Sequence, residues 1–254
     1  MGRLDDRVAF VTGGGHGIGK FYAERLATEG ARVVIAEIDG PAAERVAEGI
    51  CAQGGDALGI RTDVTDPAST QEMAKRTLER YGRIDILINN AAIFATVAMT
   101  RGLIEEISIE EWDRMMAVNL KGTFLSTLAV LPTMKAQRKG KIINISSSTV
   151  FNAPPGRIHY ITTKAGIIGF TRTLAREVGD FNINVNAVAP GSTLSEENPS
   201  ATIVQMRQNR VGERSIKRLQ TPEDLLGTVV FLASDDSDFI TGQTIAVDGG
   251  AVFH

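Results

Sequence analysis

The sequence predicts a doubly wound α/β fold in which helices cover both faces of a seven-stranded parallel sheet, within a single domain spanning 1–254. Two observations predict it. Short runs rich in Val and Ile alternate with longer segments that have the spacing of amphipathic helices. The short runs are apolar throughout, which is typical of strands buried on both faces. Strict alternation of this kind favours parallel strands joined by crossover helices.

The first half of the chain contains four of these strands. The run VAFVTGG ends in glycines, RVVIAE and IDILIN are short and apolar, and the run at 57–62 is weaker. Gly30 ends the first helix, and Pro41 and Pro67 stand where a helix loses nothing by lacking an N–H group. The predicted strands are 8–14, 32–37, 57–62 and 84–89, and the predicted helices are 18–29, one from 41, and 66–81.

The second half repeats the pattern with the strands KIINIS, INVNAV and QTIAVD. A long helical pattern precedes KIINIS, and Gly122 is expected to bend it. Another helix follows from Tyr160, and Pro222 begins the last one. The predicted strands are 141–146, 183–188 and 243–248, and the predicted helices are 108–137, 160–179 and 222–233.

Composition narrows the class of protein. Of the 254 residues, 43% are hydrophobic and 22% are charged, and the net charge is −3. No Lys and Arg cluster is long enough to predict a nucleic-acid partner. No apolar run reaches about 18 residues, so no membrane span is predicted, and no metal-ligand set is predicted either. The single cysteine, Cys51, excludes an internal disulfide and suits a reducing, cytoplasmic location.

The glycine-rich stretch TGGGHGIG lies between the first strand and the first helix. Glycines let the backbone turn tightly and approach a ligand, and the helix N-terminus offers free N–H groups to a diphosphate. Glu37 ends the second strand, where a carboxylate accepts hydrogen bonds from an adenosine ribose. That carboxylate would repel a ribose 2′-phosphate, and Ile38 follows it rather than a basic residue. The sequence therefore predicts NAD in preference to NADP, with His16 bordering the cofactor.

Further motifs extend the pattern along the whole chain. They are Thr12-Gly13-x-x-x-Gly17-x-Gly19, Asp63-Val64, Asn89-Asn90-Ala91, Asn119, Ser147, Tyr160-x-x-x-Lys164 and Pro190-Gly191. Together they resemble those of the short-chain dehydrogenase/reductase family, in its single-domain, tyrosine-dependent form with a Rossmann-type fold. Ala92 stands where the family has a glycine. The resemblance implies a cofactor site formed by Gly13, Gly15, His16, Gly17, Ile18, Gly19, Glu37, Asp63, Val64, Asn90, Ala91, Ala92, Tyr160, Lys164, Pro190, Gly191 and Thr193.

The resemblance also implies a catalytic set of Asn119, Ser147, Tyr160 and Lys164. Tyrosine ionises near pH 10, so a tyrosine base needs a pKa roughly two to three pH units lower. A separation of four residues puts Tyr160 and Lys164 on one helix face, where the ammonium favours the phenolate. The family assigns Ser147 to the substrate oxygen, and Asn119 to a water that relays protons from the lysine outward.

Within the family, HYITTKAGIIGFTR and TGQTIAVDGGAVFH are most similar to NAD-dependent dehydrogenases of small aromatic or cyclic secondary alcohols, such as 1-phenylethanol dehydrogenase. The sequence thus predicts hydride transfer between such an alcohol and the nicotinamide. Phe94, Ser147, Thr149 and Phe151 are candidates to line the substrate pocket. The long polar segment 192–218 is a candidate lid. The stretch 94–106 is a few residues longer than is usual in the family.

Two other functions stay open. An NADPH-dependent 3-oxoacyl-[acyl-carrier-protein] reductase would share the fold, but Glu37 and the lack of an obvious basic patch for an acidic carrier argue against it. A non-catalytic nucleotide-sensing module would have lost Tyr160 or Lys164. The resemblance further implies a homotetramer, with the helix that carries Gly166 and Gly169 in a subunit interface.

Overall fold

A computed structural model describes residues 2–94, 97 and 99–253, and in these residues seven parallel strands form one sheet. The strands are β1 (Val8–Thr12), β2 (Arg32–Glu37), β3 (Ala57–Arg61), β4 (Ile86–Asn89), β5 (Gly140–Ile145), β6 (Ile183–Pro190) and β7 (Thr244–Val247). Their order across the sheet is β3-β2-β1-β4-β5-β6-β7. The predicted doubly wound fold is confirmed.

Helices connect the strands and cover both faces of the sheet. They are α1 (Gly17–Thr28), α2 (Gly40–Ala52), α3 (Pro67–Tyr81), α4 (Ile109–Met115), α5 (Gly122–Gln137), α6 (Thr149–Asn152), α7 (Ile158–Val178), α8 (Ala201–Asn209) and α9 (Glu223–Ala233). Two of the helices have aspartate N-caps: the carboxylates of Asp39 and Asp66 accept hydrogen bonds from N–H groups in the first turns of α2 and α3. The proline that follows each cap fits the first turn.

The core is two apolar layers, one on each face of the sheet. On β1, Ala9 and Val11 face one layer while Val8 and Phe10 face the other, as the two-residue period of a strand requires. The first layer is completed by α1, α2 and α9, and the second by α3, α5 and α7. Because both faces are covered, the strands are apolar throughout, which explains why the sequence showed continuous apolar runs.

The strand order reverses at β1, which lies between β2 and β4. The chain builds the sheet outward to β3 and then returns to the other side of β1. At such a switch point the crossover helices diverge and leave a crevice beyond the carboxyl ends of the strands. Thr12, Asn89 and Ile145 end three adjacent strands at this edge, so the loops that follow them meet at the crevice.

The structure corrects one expectation about the elements and adds two short helices. The predicted bend at Gly122 is instead a π-helical segment, Met116–Lys121, between α4 and α5. The segment 192–218 contains a helix, α8, which Ser200 caps by accepting a hydrogen bond from the Ile203 N–H. A further short helix, α6, follows β5. Of the long stretch 94–106, residues 95, 96 and 98 lie outside the described part of the chain.

The continuous helical stretch Ile109–Gln137 is long and apolar enough by composition to cross a membrane, and in the described residues it is alone in this. Half of its most apolar window is buried inside the fold. Its buried side chains include Val130 and Met134, which pack in the second apolar layer. Its apolar character is therefore accounted for by packing against the sheet.

Candidate active site

A cavity of about 640 Å³ opens at the switch point. The loop after β1, the ends of β2, β4 and β5, the start of α7 and the segment after β6 form its walls. Nearly all of the predicted cofactor residues line it, namely Gly13, His16, Gly17, Ile18, Gly19, Glu37, Asp63, Val64, Asn90, Ala91, Ala92, Tyr160, Lys164, Pro190, Gly191 and Thr193. Gly15 lies behind this wall.

The loop after β1 needs its glycines. Gly13 and Gly17 adopt left-handed φ angles of 64° and 50°, which side chains disfavour. A Cβ atom on Gly13 would lie 2.8 Å from Ala91 Cα, and one on Gly19 would lie 2.1 Å from the Gly13 carbonyl oxygen. No side chain caps the N-terminus of α1. This bare, closely approachable backbone at a helix N-terminus fits the diphosphate of a nicotinamide dinucleotide.

Asn90 fastens this loop to β4. Its Nδ2 donates hydrogen bonds to the carbonyl oxygens of Thr12 and Gly13, at 3.1 and 3.0 Å. Asn90 therefore holds the loop in shape in addition to lining the cavity. Ala92, in place of the family's glycine, has no left-handed φ angle, so its methyl group fits without backbone strain.

The Glu37 carboxylate is already engaged by the backbone. Its Oε2 accepts a hydrogen bond from the Gly15 N–H at 3.2 Å, and its Oε1 accepts from the Ile38 and Asp39 N–H groups at 2.9 and 3.3 Å. A carboxylate has about four acceptor positions, so most of them serve the loop. Glu37 is buried, and Arg61 of β3 lies opposite it in the sheet register.

Tyr160, Lys164 and Ser147 meet at the carboxyl end of β5. Tyr160 and Lys164 lie on one face of α7, with Lys164 Nζ 5.8 Å from the centre of the tyrosine ring. Lys164 Nζ donates to the Ile145 carbonyl oxygen at 2.8 Å. The hydroxyl groups of Ser147 and Thr149 share a hydrogen bond of 2.8 Å. The three predicted side chains are thus close together and buried.

Burial has the largest effect on the pKa values of Tyr160 and Lys164. It raises the pKa of Tyr160, and the Ser147 hydroxyl and the charges of Arg157 and Arg207 act in the opposite direction. Burial also lowers the pKa of Lys164 to about 8. In the protein chain alone, Tyr160 is therefore protonated at neutral pH. The ammonium group of Lys164 was expected to lower the pKa of Tyr160. In the protein chain alone this pKa is raised instead, because moving the phenolate out of water costs more free energy than the neighbouring groups return.

Asn119 lies in the π-helical segment and is fully buried. Its Oδ1 accepts a hydrogen bond from the Ile93 N–H at 2.7 Å, and its Nδ2 donates to Thr163 Oγ1 at 3.3 Å. It therefore links the loop after β4 to α7. Asn119 stands behind the cavity wall, which Val118 lines instead.

The substrate side of the cavity is partly aromatic. The rings of Phe94 and Tyr160 lie 5.0 Å apart, and Thr149 lines the wall beside them. Phe151, predicted to line the pocket, is not among the lining residues, whereas Asn152 is. In α6, residues three apart share a face, so Thr149 and Asn152 point to the cavity together and Phe151 does not.

Comparison with known proteins identifies the family. The family model described as enoyl-(acyl carrier protein) reductase matches residues 13–252. The crystal structure of a short-chain type dehydrogenase/reductase from Mycobacterium marinum covers 99% of this chain and 97% of its own, with a TM-score of 0.89 and 32% identity. The chain belongs to the short-chain dehydrogenase/reductase family.

Two relatives within the family are similar over nearly their whole length. A 3-oxoacyl-[acyl-carrier-protein] reductase from Thermotoga maritima is 36% identical, covering 98% of this chain and 99% of its own. A (2S)-[(R)-hydroxy(phenyl)methyl]succinyl-CoA dehydrogenase subunit from Thauera aromatica is 38% identical, covering 97% of each. Other 3-oxoacyl-[acyl-carrier-protein] reductases are 38–39% identical.

These relatives overturn two predictions. The expected secondary-alcohol dehydrogenase activity is wrong, because most of these relatives are named 3-oxoacyl-[acyl-carrier-protein] reductases. The preference for NAD was inferred from Glu37 and is wrong for the same reason. In the structure, backbone N–H groups already take up much of that carboxylate, which leaves few acceptor positions for a ribose. A charge at a strand end says little until its hydrogen-bond partners are known.

The structure also contains a basic surface that the sequence did not predict. The expected absence of such a surface was an argument against an acidic carrier. The arginines that line the cavity are Arg101, Arg114, Arg157, Arg207, Arg210 and Arg214. They are spread over more than a hundred positions, so no local charge cluster revealed them. The fold gathers them at one opening.

Proposed function

We propose that this chain reduces the ketone of a 3-oxoacyl thioester to a 3-hydroxyacyl thioester, with NADPH as the reductant. The observation that carries the proposal is the identity of 36–39% over nearly the full chain to 3-oxoacyl-[acyl-carrier-protein] reductases. The Thauera relative supports it, because its name describes a hydroxyl group on the carbon next to the α-carbon of a CoA thioester. Both names therefore share a β-oxygenated acyl thioester.

The catalytic side chains suit reduction. We assign Ser147 to hold the ketone oxygen through its hydroxyl group, and Tyr160 to donate a proton to that oxygen. Burial favours the protonated phenol, so the proton is available at neutral pH. Lys164 offers a donor next to the tyrosine, and its charged form stabilises the phenolate that remains after proton transfer. Asn119 holds α7 against the loop after β4 through hydrogen bonds. We assign it to the path that returns a proton to Tyr160 after the tyrosine has donated its own.

The cofactor supplies the hydride when it is bound. Gly13, Gly17 and Gly19 would admit its diphosphate, and Asp63 and Val64 line the cavity toward the end of β3. NADPH is favoured because a basic residue, Arg61, stands beside the end of β2. Arg61 lies across from Glu37, and His16 Nε2 lies 3.2 Å from an Asp39 oxygen. A ribose 2′-phosphate at this edge would meet these groups as well as Glu37.

The segment 192–218 would close the substrate side. Met206, Arg207, Arg210 and Arg214 from this segment line the cavity, so its movement would open or cover the site. We retain the lid as part of the proposed single catalytic domain. A cytoplasmic homotetramer also belongs to the proposal. Phe124 and Leu128 of α5 are about half exposed, and a Cβ atom on Gly169 would meet nothing within 4 Å, which leaves room for a partner subunit.

An absorbance assay tests the function. Purified protein is mixed with NADPH and acetoacetyl-CoA, and NADPH consumption is followed, with 1-phenylethanol and NAD as the comparison reaction. We expect turnover only with the thioester. Absence of thioester reduction with either NADPH or NADH, or faster oxidation of the alcohol, would refute the proposal. Titration of the protein with NADPH and NADH separately tests the cofactor, and tighter binding of NADH would contradict it.

A further inference from the structure

The arginines at the cavity are concentrated beside Tyr160. Arg157 is half-buried and immediately precedes α7, three residues before the tyrosine. The backbone of Arg101 and Gly102 packs against Gly156, since a Cβ atom there would lie 3.7 Å from the Arg101 carbonyl carbon. Arg207 approaches from α8, with its guanidinium carbon 6.0 Å from the centre of the Phe94 ring. Phe94 in turn lies against Tyr160.

These cations differ in whether they have partners. Arg210 pairs with Glu213. Arg207 donates to Glu196 and Ser192, but its Nε is buried without a hydrogen-bond partner. Among the described residues, no carboxylate forms an ion pair with Arg101 or Arg157. Positive charge is therefore left uncompensated at this end of the cavity.

The arrangement is unfavourable without an anion. Burial lowers the pKa of Arg157, and the charges of Arg101, Arg210 and Arg207 lower it further. A half-buried cation that faces other cations destabilises the folded protein unless an anion binds among them. Arginine is suited to such an anion, because its planar fork of N–H groups matches a carboxylate or a phosphate.

The position of the cluster selects between these two anions. In a thioester substrate, the phosphate lies at the far end of the pantetheine arm, away from the ketone. Arg157 and Arg207 lie close enough to Tyr160 for their charges to affect its ionisation. An anion held here would therefore lie on the acyl group, near the carbon that reacts. The succinyl group in the name of the Thauera relative's substrate brings a second carboxyl group to the acyl part of such a thioester.

We propose that Arg157 and Arg101, with Arg207 beside them, bind a carboxylate on the acyl group, so that the preferred substrate is the 3-oxoacyl thioester of a dicarboxylic acid. This inference rests on the proposed reductase function. It adds a specificity determinant, which the reaction itself does not require.

Two substrates of equal chain length test it. 3-Oxoadipoyl-CoA and 3-oxohexanoyl-CoA differ only in a terminal carboxylate in place of a methyl group. The wild-type protein should favour the diacid in kcat/KM by about tenfold to a hundredfold, as expected for one charged hydrogen-bonding contact. Arg157→Gln should lower that ratio to near unity. Arg101→Gln, at an exposed side chain, should lower it in part, which keeps the test valid if Arg157→Gln folds poorly.

Arg176→Gln is the matched control. Arg176 lies on α7 as well but is exposed near its other end, so the ratio should stay at the wild-type value. Equal kcat/KM for the two thioesters in the wild type would overturn the inference, and so would a preference that survives Arg157→Gln and Arg101→Gln. Using the ratio separates carboxylate binding from any effect of Arg157 on Tyr160, because that effect acts on both substrates.

Failure of the reductase function would give a different result. If neither thioester is reduced, the proposed function is wrong, and calorimetric titration with each thioester then decides the carboxylate site. Tighter binding of 3-oxoadipoyl-CoA that is lost in Arg157→Gln would support the site. Equal affinity for both thioesters would overturn it.

Discussion

Replacing Lys164 with methionine should stabilise the protein while it abolishes turnover. The lysine is 3% exposed, and burial lowers its pKa from 10.5 to about 8. A change of that size corresponds to about 3 kcal/mol of destabilisation when the lysine is charged. Methionine is also unbranched and fills a similar space without a charge. Loss of the hydrogen bond to the Ile145 carbonyl oxygen offsets about 1 kcal/mol of the gain.

The destabilisation caused by the charged lysine depends on pH. The folded-state pKa of Lys164 lies below the unfolded value, so the folded protein binds the proton more weakly. The destabilisation is fully present below pH 8, decreases between pH 8 and 10.5, and disappears above that range. The methionine variant should therefore be about 2 kcal/mol more stable than the wild type at pH 7, and this advantage should disappear by pH 10.

Urea unfolding of the ligand-free proteins at pH 7 and pH 10, at one protein concentration, measures both values. Lys75→Met, at an exposed residue of α3, is the control and should show no such change with pH. A Lys164→Met variant that is less stable than the wild type at pH 7, or a stability difference that does not vary with pH, would refute the reasoning. It would mean that Lys164 is not charged at a cost in the folded protein.

Three other substitutions test separate parts of the site. Tyr160→Phe should leave the affinity for NADPH unchanged and lower kcat by about 10²–10⁴-fold, because it removes the proton donor; near-normal turnover would contradict that role. Gly19→Ala should weaken NADPH binding more than tenfold, since its Cβ atom would lie 2.1 Å from the Gly13 carbonyl oxygen. Gly49→Ala is the control, because a Cβ atom on Gly49 would have no neighbour within 4 Å. It should leave NADPH binding unchanged and raise the free energy of unfolding by about 0.5–1 kcal/mol. Arg61→Ala should raise the Kd for NADPH several-fold more than the Kd for NADH, as fluorescence titration would measure, and an equal change in both would remove Arg61 from cofactor selection.

The sheet and α7 were predictable because their signals are local. Apolar runs bounded by glycines locate β1 and β2 to within two residues, and the Tyr160 to Lys164 spacing fixes one helix face whatever the rest of the chain does. The glycine loop was similarly readable, since its position between a strand and a helix already indicates what it can bind.

Other features depend on contacts between distant segments. Arg101, Arg157 and Arg207 come together only because the segment after β4, the start of α7 and α8 meet at the same cavity, and no local pattern reports that. The cofactor preference inferred from Glu37 was wrong. Residue type alone does not reveal the backbone N–H groups that already donate hydrogen bonds to this carboxylate. In α8, the capping residue Ser200 was a readable signal, but the polar composition of the segment outweighed it.

The central claim is tested most directly by following the hydride itself. Incubation of the protein with acetoacetyl-CoA and NADPH that carries deuterium at the transferable position should yield 3-hydroxybutanoyl-CoA with deuterium on C3, as mass spectrometry of the product would show. The Tyr160→Phe variant should form little product, and the product that does form should still carry deuterium on C3. Recovery of unchanged acetoacetyl-CoA from the wild-type protein would contradict the proposed reductase function.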